Sequence, residues 1–223
     1  MSTPADPGPI LQLTERGARL RDTGRTARLA DQFRRQHCVR LPQLVEPRLL
    51  GRIQRAIEHG DFRERAHGSV ATELCMEADA SVGLLHFLVN DPGVYRLIEV
   101  ISGCLPVRCF SGRVYRHLPG QHQHSWHGDL SQDRQIGMSV NLSPDVYEGG
   151  TFEIRDVDTE QMFAAIANVG FGDAIIFRLA PTLEHRVTQV RGARPKTAFA
   201  GWFQPSPDYL ATLRRDPYLA DPT

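Results

Sequence analysis

The stretch QIGMSVNLSPDVYEGGTFEIR, residues 135–155, points to the fold of this chain. It holds two short runs, 135–142 and 151–155, that carry β-branched and aromatic side chains of the kind found in strands. Between the runs lie Ser143-Pro144-Asp145 and Glu148-Gly149-Gly150, whose residue types favour turns. The stretch therefore predicts two strands, with a hairpin turn at Gly149-Gly150.

The same β texture covers the second half of the chain, from about residue 105 onward. Further strands are predicted at 107–111, 113–117, 174–177, 185–190 and 198–203. In the first half, apolar residues at helical spacing predict helices at 23–36, 47–59 and 92–102, with a short strand at 38–41. The predicted helices precede the predicted strands along the chain, and this order favours a mainly β fold. We expect a double-stranded β-helix, or jelly-roll, core preceded by N-terminal helices.

The length of 223 residues suits a single domain. We expect a flexible, proline-rich leader at residues 1–13 and one domain at 14–205. That domain divides into a helical lead-in at 14–104 and the jelly-roll core at 105–205. Residues 206–223 are expected to form a C-terminal tail, with one or two helical turns around 209–214.

The composition argues against several classes of partner. Acidic and basic residues number 26 each, so the chain lacks the net charge that favours duplex DNA or an anionic membrane surface. Its four cysteines show no CxxC spacing, which disfavours a zinc knuckle or a disulfide framework. The sequence also shows no signal-peptide core and no apolar run of membrane-spanning length. We expect a cytoplasmic protein with no nucleic-acid or membrane partner.

The motif Trp126-His127-Gly128-Asp129, with the distant His185, indicates a metal site. Side chains alternate across a strand, so His127 and Asp129 at a strand end would share one face. Two histidines and one carboxylate leave other coordination positions open, which is typical of non-haem Fe(II) oxygenases. His127, Asp129 and His185 are therefore the predicted ligands.

Two further histidines, His122 and His124, precede this motif, and neither is followed by an acid two positions on. The sequence favours solvent-facing loop positions for both, with a place in the pocket or behind the ligands as the alternative.

From Arg113 to Phe203 the chain resembles the 2-oxoglutarate and Fe(II)-dependent dioxygenases, particularly the branch similar to prolyl 4-hydroxylases. The motifs that carry the resemblance occur in the family's order. They are Tyr115 with Pro119-Gly120, His127-Gly128-Asp129, Asn141-Leu142-Ser143, the run from Tyr147 to Phe152, the run from Gly172 to Phe177, His185-Arg186-Val187 and Gly201-Trp202-Phe203.

The resemblance implies Fe(II), 2-oxoglutarate as cosubstrate and O2, with ascorbate as a supporting reductant. Tyr115 matches the position whose phenol assists cosubstrate binding. Arg194 and Lys196 are both candidates for the cation that holds the far carboxylate, and they would share one face of a strand. The count forward from His185 favours Arg194. The count back from Trp202 favours Lys196, the only lysine in the chain, and we lean towards it.

The activity implied is hydroxylation of an unactivated C–H bond, with release of succinate and CO2. The substrate would be a small molecule or a peptide or protein side chain. A non-catalytic metal-binding jelly roll and a zinc hydrolase are the alternatives, and the cationic pair disfavours both. Substrate contacts are expected from 62–75 and 121–125. There, Arg65, His67 and Glu73 are candidates by position, although a surface location is the simpler interpretation of each.

Overall fold

The computed structural model describes residues 8–68, 70–77, 79–122, 124–130 and 133–214, and for 212–214 the backbone alone. The helices are α1 Thr26–Gln36, α2 Pro47–His59, α3 Ala80–Val89, α4 Pro92–Ser102 and α5 Tyr209–Arg214. The strands are β1 Leu11–Thr14, β2 Gly17–Leu20, β3 Cys38–Leu41, β4 Phe62–His67, β5 Ala71–Met76, β6 Cys109–His117, β7 His124–His127, β8 Ile136–Asn141, β9 Glu148–Gly149, β10 Phe152–Asp156, β11 Met162–Ile166, β12 Ala174–Arg178, β13 Leu183–Val187, β14 Val190–Arg191 and β15 Lys196–Gln204.

An antiparallel sheet forms most of the molecule, and it curls into a nearly closed β sandwich. Its strands are ordered β11-β10-β13-β7-β5-β6-β15-β8-β12-β3, and β4 pairs with β5 beside this path. Consecutive strands in space are rarely consecutive in sequence, as expected for a jelly roll. The predicted fold class, mainly β with flanking helices, is confirmed.

Helices α2 and α4 form where the sequence predicts them, because each has a proline in its first turn and apolar residues on one face. Asp91 caps α4 by accepting a hydrogen bond from the Gly93 N–H, at 2.7 Å. The buried faces of both helices pack on one side of the sheet, in a core that includes Leu50, Ile98 and Phe199. The other side of the sheet is therefore left to line an interior.

The first half of the chain contributes more strands than expected. Strands β4 and β5 form a hairpin that joins the main sheet, and β5 also pairs with β6 and β7. Helix α3 was not predicted either. Its apolar residues are spread round the helix rather than along one stripe, so it lacks the periodic signal.

The expected leader at 1–13 is too long. Ile10, Leu11 and Leu13 are buried, and β1 pairs with β2, so the packed structure begins by residue 10. Residues 1–7 lie outside the described ranges, as do 215–223 of the expected tail, whose helical turns at 209–214 are present as α5.

A second apolar cluster lines the interior of the sandwich. It includes Phe152, Ile154, Ile175 and Phe177, and the partly buried Trp202 packs against it. None of the helices in the described residues is long and apolar enough to cross a membrane.

Candidate active site

His127, Asp129 and His185 lie together in the structure. His127 ends β7 and pairs directly with His185 of β13, so the two imidazoles lie side by side with ring centroids 4.4 Å apart. Asp129 follows β7 and brings its carboxylate to both: Oδ1 is 3.8 Å from His127 Nε2, and Oδ2 is 3.4 Å from His185 Nε2. The three ligand atoms lie within 4.8 Å of one another, close enough to bind one metal ion.

Hydrogen bonds hold two of these side chains in place. The Nδ1 atom of His127 lies 2.6 Å from the Ser125 carbonyl oxygen, so it carries the proton and leaves Nε2 as the ligand atom. Trp202 donates from Nε1 to Asp129 Oδ2, at 2.8 Å. Burial alone would raise the pKa of Asp129, but its contacts with His185 and Trp202 outweigh this and lower it, which keeps the ligand ionised.

We expect Trp202→Phe to weaken Fe(II) binding by about 10–100-fold, because an outer hydrogen bond to a ligating carboxylate is lost while an aromatic ring is kept at this position. Trp126→Phe is the matched control, since that ring lies against the Arg155 and Arg186 guanidiniums instead. Anaerobic Fe(II) titration of both variants measures the effect. Equal affinities for the two would contradict this role of Trp202.

A cavity of about 310 Å³ opens beside the three candidate ligands. Tyr115 and Lys196 line it together with His127, Asp129 and His185. The Tyr115 side chain is buried, which raises the pKa of its phenol and keeps the hydroxyl protonated as a hydrogen-bond donor. The cavity thus combines a possible metal site with a hydroxyl and an ammonium.

Lys196 is buried, with 3% of its surface exposed, and it begins β15. Its Nζ donates to the Gly150 carbonyl oxygen at 3.0 Å and lies 5.9 Å from the centre of the Tyr147 ring. Within the described ranges it has no carboxylate partner. Burial therefore lowers its pKa to about 7. A buried ammonium without a counter-ion is suited to binding an anion that enters the cavity.

Arg194 lies elsewhere. Its side chain is 64% exposed, and Nη1 is 3.3 Å from Asp145 Oδ2. We had expected the two cations to share one face of a strand. That expectation is wrong, because β15 begins at Lys196 and Arg194 precedes it. Arg194 does not line the cavity.

The histidines before the motif are not solvent-facing loop residues. His122 is buried and accepts a hydrogen bond at Nδ1 from the Leu118 N–H, at 2.9 Å. His124 begins β7 and lines the cavity. Two segments, 62–75 and 121–125, were expected to contact substrate. From the first, His67, Val70 and Ala71 line the cavity. In the second, Gln123 lies outside the described residues.

Glu73 departs furthest from its expected surface position. It is fully buried and is contacted by Arg113, by His67 Nε2 at 2.9 Å and by His124 Nε2 at 3.1 Å. Burial alone would raise its pKa, but the neighbouring imidazoles of His117 and His124 and the charge of Arg113 lower it, so Glu73 is ionised. No local sequence signal marks this cluster, because its members come from separate strands.

One known family matches part of the chain. Residues 112–204 match the model of the 2OG-Fe(II) oxygenase superfamily, a segment that contains every candidate metal and cosubstrate residue. None of the curated proteins matches the sequence at a significant level.

Solved structures share the fold at low sequence identity. A prolyl-4-hydroxylase from Pseudomonas putida is 14% identical, with a TM-score of 0.61 over 82% of this chain and 100% of that one. The epimerase SnoN from nogalamycin biosynthesis, described as non-haem and alpha-ketoglutarate dependent, is 19% identical, with a TM-score of 0.62 over 91% and 94%. A prolyl hydroxylase from Trichoplax adhaerens, in complex with a hypoxia inducible factor peptide, is 12% identical, with a TM-score of 0.59 over 86% and 93%.

Proposed function

We propose that this chain, whose residues 112–204 match the model of the 2OG-Fe(II) oxygenase superfamily, is a dioxygenase that hydroxylates an unactivated C–H bond. The substrate would be a small molecule or a protein side chain, and 2-oxoglutarate would be converted to succinate and CO2. The observation that carries the proposal is the buried ammonium of Lys196, which has no counter-ion among the described residues and lines the same cavity as His127, Asp129 and His185.

The residues present fit an Fe(II) ion. His127 and His185 would bind through Nε2, and Asp129 through its carboxylate, whose Oδ2 also accepts from Trp202 at 2.8 Å. This donor set suits a divalent ion of intermediate softness and leaves positions open for a cosubstrate and O2. When bound, the iron, 2-oxoglutarate and O2 together supply the oxidising chemistry that hydroxylation requires.

Lys196 and Tyr115 would bind the far carboxylate of 2-oxoglutarate. The ammonium gains a counter-ion that none of the described residues provides, and the Tyr115 hydroxyl can donate a second hydrogen bond. The apolar wall formed by Phe152, Ile175 and Phe177 would exclude water around the carbon chain. These side chains thus orient the cosubstrate between the cation and the metal ligands.

Cosubstrate affinity should depend on pH because burial lowers the pKa of Lys196 to about 7 in the free protein. Below that pH the ammonium is present and binds the carboxylate. Above it the proton is lost, so the affinity for 2-oxoglutarate should decrease, by about tenfold for each further pH unit. Anaerobic titration with 2-oxoglutarate between about pH 6.5 and 9 tests this. Lys196→Arg, which stays charged, should show a much flatter profile, and an equally flat wild-type profile would contradict the assignment.

The activity itself is tested by succinate release. Purified protein with Fe(II), ascorbate, O2 and 2-oxoglutarate is incubated with panels of peptides, free amino acids and other small molecules, and without substrate. We expect succinate to rise with at least one substrate, whose product gains one oxygen atom from labelled O2. If no condition yields succinate, the enzyme is not a 2-oxoglutarate dioxygenase. If succinate forms without oxygen transfer, the reaction is not a hydroxylation.

A further inference from the structure

Three side chains from three adjacent strands meet beside the cavity: Glu73 of β5, His117 of β6 and His124 of β7, of which His124 also lines it. The Nε2 atom of His124 lies 3.1 Å from Glu73 Oε2 and 3.1 Å from His117 Nε2. His117 Nε2 is 3.9 Å from the same carboxylate oxygen. Glu73 and His117 are fully buried, and the His124 side chain is 12% exposed.

Hydrogen bonding alone does not satisfy this cluster. If His124 carries the proton on Nε2, that one proton has to serve two acceptors, Glu73 Oε2 and His117 Nε2, each at 3.1 Å. If His117 instead carries its proton on Nε2, the lone pair of His124 Nε2 faces the carboxylate at 3.1 Å. In the first arrangement two buried acceptors share one proton, and in the second a buried lone pair is repelled by the carboxylate; both arrangements are costly.

A metal ion would accept the lone pairs of both Nε2 atoms and of Glu73 Oε2 at once, with the His117 proton on Nδ1, which has no partner among the described residues. Zinc bonds to nitrogen and oxygen of about 2.0–2.2 Å at tetrahedral angles place ligand atoms roughly 3.4 Å apart. The separations in this cluster, 3.1, 3.1 and 3.9 Å, bracket that value. They are also similar to the 3.4 and 3.8 Å between the carboxylate and imidazoles of the candidate iron site.

The surroundings prepare these side chains as ligands. Burial lowers the pKa of His117 to about 3, so its imidazole is neutral. The second oxygen of Glu73, Oε1, is held by Arg113, by His67 Nε2 at 2.9 Å and by Cys75 Sγ at 3.4 Å. Ligating carboxylates are commonly fixed by such outer hydrogen bonds. Oε2 is left to face the two histidines.

We propose that Glu73, His117 and His124 form a second metal site, which binds a zinc-like divalent ion and ties β5 and β6 to β7, the strand that carries His127. Because Arg113 offsets the charge of Glu73, the two imidazoles must provide much of the binding. That donor set favours Zn²⁺ over Mg²⁺ or Ca²⁺, which require mainly oxygen ligands.

Metal stoichiometry tests the proposal independently of turnover. The full chain is stripped with a chelator, titrated with Zn²⁺ under argon, desalted and analysed by mass spectrometry for bound zinc. Wild type should retain two equivalents, because Zn²⁺ can also occupy the iron ligands. His127→Ala/Asp129→Ala should retain one equivalent, and so should Glu73→Gln/His117→Ala. The control His59→Ala, at an exposed helix end, should retain two.

The variant that lacks His127 and Asp129 decides the question even if changes in the buried cluster prevent folding. Retention of one zinc by that variant supports the second site, and retention of none overturns it. If Glu73→Gln/His117→Ala folds and still binds two equivalents, the second ion lies elsewhere and the proposal is also wrong.

Discussion

Lys196→Met should weaken 2-oxoglutarate binding by at least about 100-fold, because the substitution removes the charged partner of a buried carboxylate while preserving the length of the side chain. Arg194→Met should change the affinity by less than about threefold, since its exposed guanidinium pairs with Asp145 at 3.3 Å and lies outside the cavity. Both constants are measured by anaerobic titration with Fe(II) present.

Lys196→Arg separates charge from shape in this experiment. It keeps the cation but enlarges it in a site where Nζ already lies 3.0 Å from the Gly150 carbonyl oxygen, so we expect intermediate affinity. A larger loss in Arg194→Met than in Lys196→Met would show that the cosubstrate is held by Arg194 instead. Circular dichroism of all three variants checks that the fold is intact.

Asp129→Ala should abolish succinate formation, with a loss well beyond the roughly 10–100-fold expected when only an outer hydrogen bond is removed. The carboxylate lies 3.4 Å from His185 and 3.8 Å from His127, so no other described acid can replace it between the two imidazoles. Succinate release at saturating Fe(II) and 2-oxoglutarate measures the effect.

Glu184→Ala is the matched control for that substitution. Glu184 is adjacent to the ligand His185 in β13, but it points to the other face and pairs with Arg155 at 2.6 Å. We expect it to retain most of the wild-type succinate formation. Comparable activity in the two variants would exclude Asp129 as a metal ligand.

The sequence predicted those elements whose signals are local. Helices 47–59 and 92–102 were predicted with the bounds of α2 and α4, because a proline in the first turn and an apolar stripe are both visible in sequence. Strand β4, whose sequence is FRERAH, was missed. It is largely exposed and mostly charged or polar, and pairing with β5 is what stabilises it.

In the candidate site, too, the residues with a local sequence signal were predicted and the others were not. His127 and Asp129 were predicted from their spacing, whereas the two counts for the cation disagreed. In the structure β15 begins at Lys196, so Arg194 lies outside the strand. Counting residues cannot locate that starting point. The burial of Glu73 was not predictable, since it depends on β5 pairing with both β6 and β7.

The central claim is that His127, Asp129 and His185 bind Fe(II) beside a cavity in which Lys196 binds 2-oxoglutarate. Anaerobic titration of the Fe(II)-loaded protein with 2-oxoglutarate, followed by visible absorption, tests it most directly. We expect a charge-transfer band that saturates at one equivalent of 2-oxoglutarate in wild type and is absent in His127→Ala. Absence of the band in wild type, or its persistence in His127→Ala, would contradict the claim.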